Sequence, residues 1–83
     1  MIEYPTVYAF KVMGRTDSDF AEFIRQMFSR LMGREVSQDS ISQNYSNQGN
    51  YVSLTVSVYL LSEEHRKTIY GALHKEKRIL YYL

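Results

Sequence analysis

His65 and His74 are the only imidazoles in the chain, and they are the first residues to test for acid–base or metal chemistry. If both lie on one helix, their spacing at about 100° per residue turns them about 180° apart. They then share no metal and read as solvated helix residues. Asp17 and Asp19 have the spacing of a helix start, where carboxylates cap free N–H groups more readily than they form an acid–base pair. Glu63 and Glu64 read the same way. Gly14, Gly33, Gly49 and Gly71 are scattered singly, so no glycine-rich loop cradles a phosphate. No serine sits in a nucleophile-elbow pattern. The chain has no cysteine, which excludes disulfides, thiolate metal sites, iron–sulfur clusters and cysteine nucleophiles. The expectation is a protein that is not an enzyme and carries no cofactor or metal.

Two groups of residues could still bind something. Gly14, Arg15 and Thr16 precede a helix, where backbone N–H groups could hold an anion and Arg15 could clamp a carboxylate. The second group comes from strict alternation. In "GNYVSLTVSVYLL", residues 49–61, the apolar Val52, Leu54, Val56 and Val58 alternate with Tyr51, Ser53, Thr55, Ser57 and Tyr59. Such a strand has one face for a core and one of different character. Lys11, Met13, Tyr51, Ser53, Thr55, Tyr59 and Tyr82 are the candidate interaction residues of that second face, with Ala9 and Leu80 beside them. An apolar and aromatic patch around one ammonium suits a protein partner or a homodimer. Stacking RNA bases is the alternative use of such aromatics. "QGNYVSLT" lacks the basic-Gly-aromatic pattern of an RNA-recognition strand, and a net charge of +1 is too balanced for a protein that lives on phosphate contacts. No nucleic acid is expected. The basic run His74, Lys75, Lys77 and Arg78 reads as a solvated connection.

These residues need elements to hold them. Thr6 to Met13 is rich in β-branched and aromatic residues and reads as a strand, with Pro5 before it and Gly14 ending it. Tyr8, Phe10 and Val12 share one face; Val7, Ala9, Lys11 and Met13 share the other. Thr16 or Asp17 is expected to cap the helix that follows, with Asp19 complementing its positive end. Phe20, Phe23, Ile24, Met27, Phe28, Leu31 and Met32 recur at helical spacing as one stripe, and Gly33 supplies the stop. Glu35 to Ser46 is a weaker, polar segment suited to a sheet edge. "SNQGN" provides a turn, with Gly49 able to take positive φ. Ser62 caps a second helix that turns Ile69, Tyr70 and Leu73 inward. "ILYYL" closes the chain as a strand, Ile79, Tyr81 and Leu83 against Leu80 and Tyr82.

The order β-α-β-β-α-β predicts an α+β fold: a ferredoxin-like sandwich, its four-stranded antiparallel sheet ordered 4-1-3-2, with both helices on one face. At 83 residues the chain is a single domain, 1–83. Hydrophobic content of 45% and charged content of 23% are those of a globular protein. No apolar run approaches the ~20 residues of a membrane span, and the amino terminus lacks a basic signal-peptide start. A cytoplasmic location away from membranes is the expectation.

Together, "YP" at Tyr4–Pro5, "KVMG" at Lys11 to Gly14, "S-x-x-GNY-x-S" from Ser46 to Ser53 and "IYGAL" at Ile69 to Leu73 resemble the YbeD-like family of small bacterial proteins. The similarity runs over nearly the whole chain. It implies a ferredoxin-like sandwich similar to ACT regulatory domains, which bind amino acids at dimer interfaces. It also implies a regulatory role, with an amino acid or a lipoate-related compound as the small-molecule ligand. By that analogy Gly14 stands where ACT domains place a glycine next to ligand, and Arg15 replaces the apolar residue usual after it.

Overall fold

Two long strands form the centre of the molecule. In β1 (Thr6–Arg15) and β3 (Tyr51–Leu60) every second residue is apolar, and the two pair antiparallel with Phe10 opposite Val56 and Val12 opposite Leu54. This register puts the apolar sets of both strands on the same side. Phe10, Val12, Leu54, Val56 and Leu60 are completely buried there. The computed structural model describes residues 1–16 and 19–83. In order, the elements are β1, α1 (Phe20–Met32), β2 (Ile41–Tyr45), β3, α2 (Glu63–Lys75) and β4 (Tyr81–Tyr82), with a 3₁₀ turn at Gln38–Ser40 ahead of β2. The strands form one antiparallel sheet in the order β2-β3-β1-β4, the order expected from the sequence.

The stripe of α1 behaves as its spacing predicts. Phe20, Ile24, Met27 and Phe28 are buried, and Phe23, Leu31 and Met32 pack against the core at its margin. Gly33 ends the helix at φ 71°, and the N–H groups of Gly33 and Arg34 reach back to the carbonyls of Arg30 and Ser29, closing the last turn as a left-handed stop does. In α2, Ser62 Oγ accepts from the N–H of His65 at 3.2 Å, and Ile69 and Leu73 are buried. The buried residues of both helices and of one sheet face form a single cluster.

Several local expectations are corrected. Gly14 does not end β1: the strand runs through it to Arg15, with Gly14 opposite Val52. Glycine is required there by packing. A Cβ on Gly14 would lie 2.4–2.8 Å from the ring atoms of Phe20, so the first aromatic residue of α1 uses the space that a side chain would fill. Thr16 does not cap α1. Its hydroxyl donates to the Gly49 carbonyl at 2.6 Å and its N–H to that of Asn50 at 3.1 Å, which ties the end of β1 to the β2–β3 turn. Asp17, the other expected cap, lies outside the described residues. Asp19 holds the N-cap position without a side-chain capping bond; its carboxylate instead takes an ion pair from Arg78 at 3.0 Å.

Arg78 is therefore no mere solvated residue. Its guanidinium lies 4.3 Å from the ring centroid of Phe23, close enough for cation–π attraction, and it pins the segment before β4 onto α1. The histidines are also engaged. Nε2 of His65 donates to the Leu31 carbonyl at 2.9 Å and links α2 to the end of α1, while Nδ1 of His74 shares a hydrogen bond with the Tyr82 hydroxyl at 3.1 Å. Glu35 to Ser46 divides into buried Val36, the 3₁₀ turn and the short β2.

Candidate interaction face

The odd-numbered residues of β1 and β3 point away from the core. They form a grid of cross-strand pairs: Val7 with Tyr59, Ala9 with Ser57, Lys11 with Thr55, Met13 with Ser53, and Arg15 with Tyr51. On one flank β2 adds Ser42 opposite Thr55 and Asn44 opposite Ser53. On the other, β4 adds Tyr81 opposite Met13, and Leu83 exchanges backbone hydrogen bonds with Lys11. Lys11, Met13, Tyr51, Ser53, Thr55 and Tyr59 thus come together on one surface. Met13, Ser53 and Thr55 are half-buried among their neighbours, and Lys11 is exposed. Val7 (67%), Leu83 (57%), Tyr81 (55%) and Tyr59 (52%) keep more than half of their surface in water. Arg15 lies 5.8 Å from the centroid of Tyr51, and a hollow of about 160 Å³ opens beside Met13, Asn44, Tyr51 and Ser53.

Tyr82 is the exception. It stands opposite Val12 and turns to the helix side, where its ring centroid lies 5.9 Å from that of Tyr70. The expected alternation of the last strand carried parity from Ile79. Ile79 belongs instead to a turn, its N–H donating to the Glu76 carbonyl, so the count restarts at Tyr81. Tyr81 and Leu83 take the places on the open face that Leu80 and Tyr82 were expected to fill.

Gly14, Arg15 and Thr16 offer little to an anion. Gly14 is covered by Phe20, and both donors of Thr16 are given to the hairpin turn. Arg15 alone remains exposed. A hollow of about 450 Å³ lies between α1 and β2, lined partly by Glu22, Arg25 and Asp39. Its cation is already used: Arg25 donates to both Glu22 oxygens and to the Val36 carbonyl.

Sequence reasoning missed one polar cluster. Tyr8 and Tyr70 share a hydroxyl–hydroxyl hydrogen bond of 2.9 Å, and the Arg66 guanidinium lies 5.2 and 5.3 Å from their ring centroids. Glu63 accepts from Arg66 at 2.9 Å and from the Tyr4 hydroxyl at 2.5 Å. Burial, and then the bond to Tyr8, push the Tyr70 phenol up to about 12. The bond from Tyr70, and then Arg66, lower that of Tyr8. The available signal was Tyr8 itself, a phenol sharing a core-facing register with Phe10 and Val12 and so in need of a polar partner. With every partner internal, the cluster ties α2 to β1 and to the segment before it.

A two-layer α+β protein with one exposed sheet face, and no cluster of metal-ligating side chains among its described residues, is the class these features define. A family described as "Protein of unknown function (DUF493)" matches residues 1–83. A UPF0250 protein of Ralstonia nicotianae is 38% identical over 88% of this chain and 74% of its own length. One from Janthinobacterium sp. (strain Marseille) is 35% identical over the whole chain and 90% of its length, and one from Paraburkholderia phytofirmans is 36% identical over 88% and 81%. The chain belongs to this uncharacterised bacterial family, the YbeD-like group its motifs resemble. No solved structure matches it. Among the described residues no helix is long and apolar enough to cross a membrane.

Proposed function

We propose that this protein is a non-enzymatic interaction module of regulatory type, a ferredoxin-like sandwich that engages a protein partner through its open sheet face. One observation carries the reading: Val7, Tyr59, Tyr81 and Leu83 are largely exposed on one continuous surface around Lys11. Large apolar side chains gathered on one face favour association, whereas the same residues scattered singly would need no explanation. The rigid pairing of β1 with β3 supports it further, because a preformed surface gives up little conformational entropy on binding.

The test compares three immobilised proteins exposed to lysate of the native cell: wild type, a Tyr59→Ser/Tyr81→Ser face variant, and a Lys67→Ser variant altered on the helix layer. A partner held by wild type and by Lys67→Ser but lost by the face variant is the expected result. Equal retention by all three would overturn the reading.

A further inference from the structure

The open face is also one-sided in charge. Among the described residues no Asp or Glu lies in a strand, whereas two cations do, Lys11 and Arg15. Both point to the open face. Outside the strands, three cations, Arg25, Arg66 and Arg78, are matched with a carboxylate, Glu22, Glu63 and Asp19, and the others stand in water on the helix side. Lys11 has no such match. Its cross-strand neighbour is Thr55 and its β4 neighbour is Leu83, and no described residue forms an ion pair or side-chain hydrogen bond with its ammonium. A lysine placed midway along a central strand, amid exposed apolar side chains, is an unanswered charge at the middle of the patch.

From this we infer, building on the interaction role proposed above, that the face receives an acidic and apolar surface of a different protein, with Lys11 as the central contact. A second copy of this chain is the poorer occupant. A two-fold contact brings the same patch against itself, so stacking the face on its own copy about its centre brings the two Lys11 ammonium groups toward each other, with no carboxylate from a described strand between them. Like charges juxtaposed in an interface repel and weaken it. Lys11 therefore selects a partner with carboxylates and discourages self-stacking, a repulsive element of the kind that makes binding specific. A nucleic acid would also answer the charge, and Tyr51, Tyr59 and Tyr81 could stack bases, but two cations are few for a polyphosphate.

The test titrates isotope-labelled protein with three probes while following backbone amide shifts. Two are short amphipathic peptides with identical leucines, one carrying glutamate and the other lysine at its polar positions. The third is single-stranded oligouridylate. Sedimentation of the protein alone runs in parallel. The glutamate peptide is expected to shift the amides of Lys11, Met13, Thr55 and Tyr81, with affinity falling by about tenfold or more in Lys11→Glu and less in Lys11→Gln, while the protein alone remains a monomer. The lysine peptide binding equally well would overturn the acidic assignment and leave the interaction role standing. Tighter binding of oligouridylate at the same amides, self-association through them, or no shift with either peptide would overturn it as well. Shifts confined to α1 and α2 would remove the face itself from consideration.

Discussion

Gly14 is where one atom decides between two side chains. Adding a Cβ drives it into the Phe20 ring, and β1 and α1 give little room to retreat because both are buried at that point. Gly14→Ala is expected to destabilise the fold by about 1–3 kcal/mol, the usual range for overpacking, and Phe20→Leu should restore part of the loss; chemical denaturation of the single and double variants checks both. The tyrosine pair gives a pH signature at the same scale. The folded-state value of Tyr70 is raised, so its contribution to stability is whole below the ordinary phenol value of 10.0 and fades as pH climbs toward about 12. Tyr8 is shifted the other way by the bond from Tyr70. Tyr70→Phe should therefore move the Tyr8 titration upward, toward 10.0, as followed by ring-carbon shifts; an unmoved Tyr8 would contradict the hydrogen bond.

Among the elements, β4 is the shortest, a two-residue strand that depends on side chains behind it. Tyr82 anchors it from the helix side through Tyr70 and His74, while Tyr81 faces solvent. Tyr82→Ala should speed amide exchange at Lys11 and Leu83, whose backbones pair across this edge, and Tyr81→Ala should leave it unchanged; similar acceleration in both would show that the backbone alone secures β4. The elements also mark what a sequence makes legible. The α1 stripe, the alternation of β3, the Gly33 stop and the Ser62 cap are local patterns whose physics is complete within a few residues, and each could be read directly. The parity of β4 could not, because the turn through Ile79 resets the alternation. Nor could the roles of Gly14 and Arg78, which are settled by Phe20 and Phe23 arriving from another element. On the face, Lys11, Met13, Ser53 and Tyr59 followed from alternation alone, while Tyr81 and Leu83 needed the three-dimensional register.

In the whole molecule, charge is sorted by layer. A chain with a net charge of +1 has no Asp or Glu in a strand among its described residues and sets two cations, Lys11 and Arg15, among apolar groups on the exposed side. Outside the strands, the ion pair of Asp19 and Arg78 joins positions 59 apart in sequence, while those of Arg25 and Arg66 lie within single helices. Lys11 and Arg15 on the sheet form no ion pair with a described residue. This division makes the face variants of the binding experiments informative, since Tyr59, Tyr81 and Lys11 stand outside the cluster of buried side chains.

β1 carries two messages in alternate letters. Tyr8, Phe10, Val12 and Gly14 answer to the interior, and Val7, Ala9, Lys11, Met13 and Arg15 answer to the outside. Point substitutions can rewrite one message without touching the other, so the surface can change while the interior stays fixed. Inserting or deleting a single residue midway would exchange the two from that point on, and neither would then make sense.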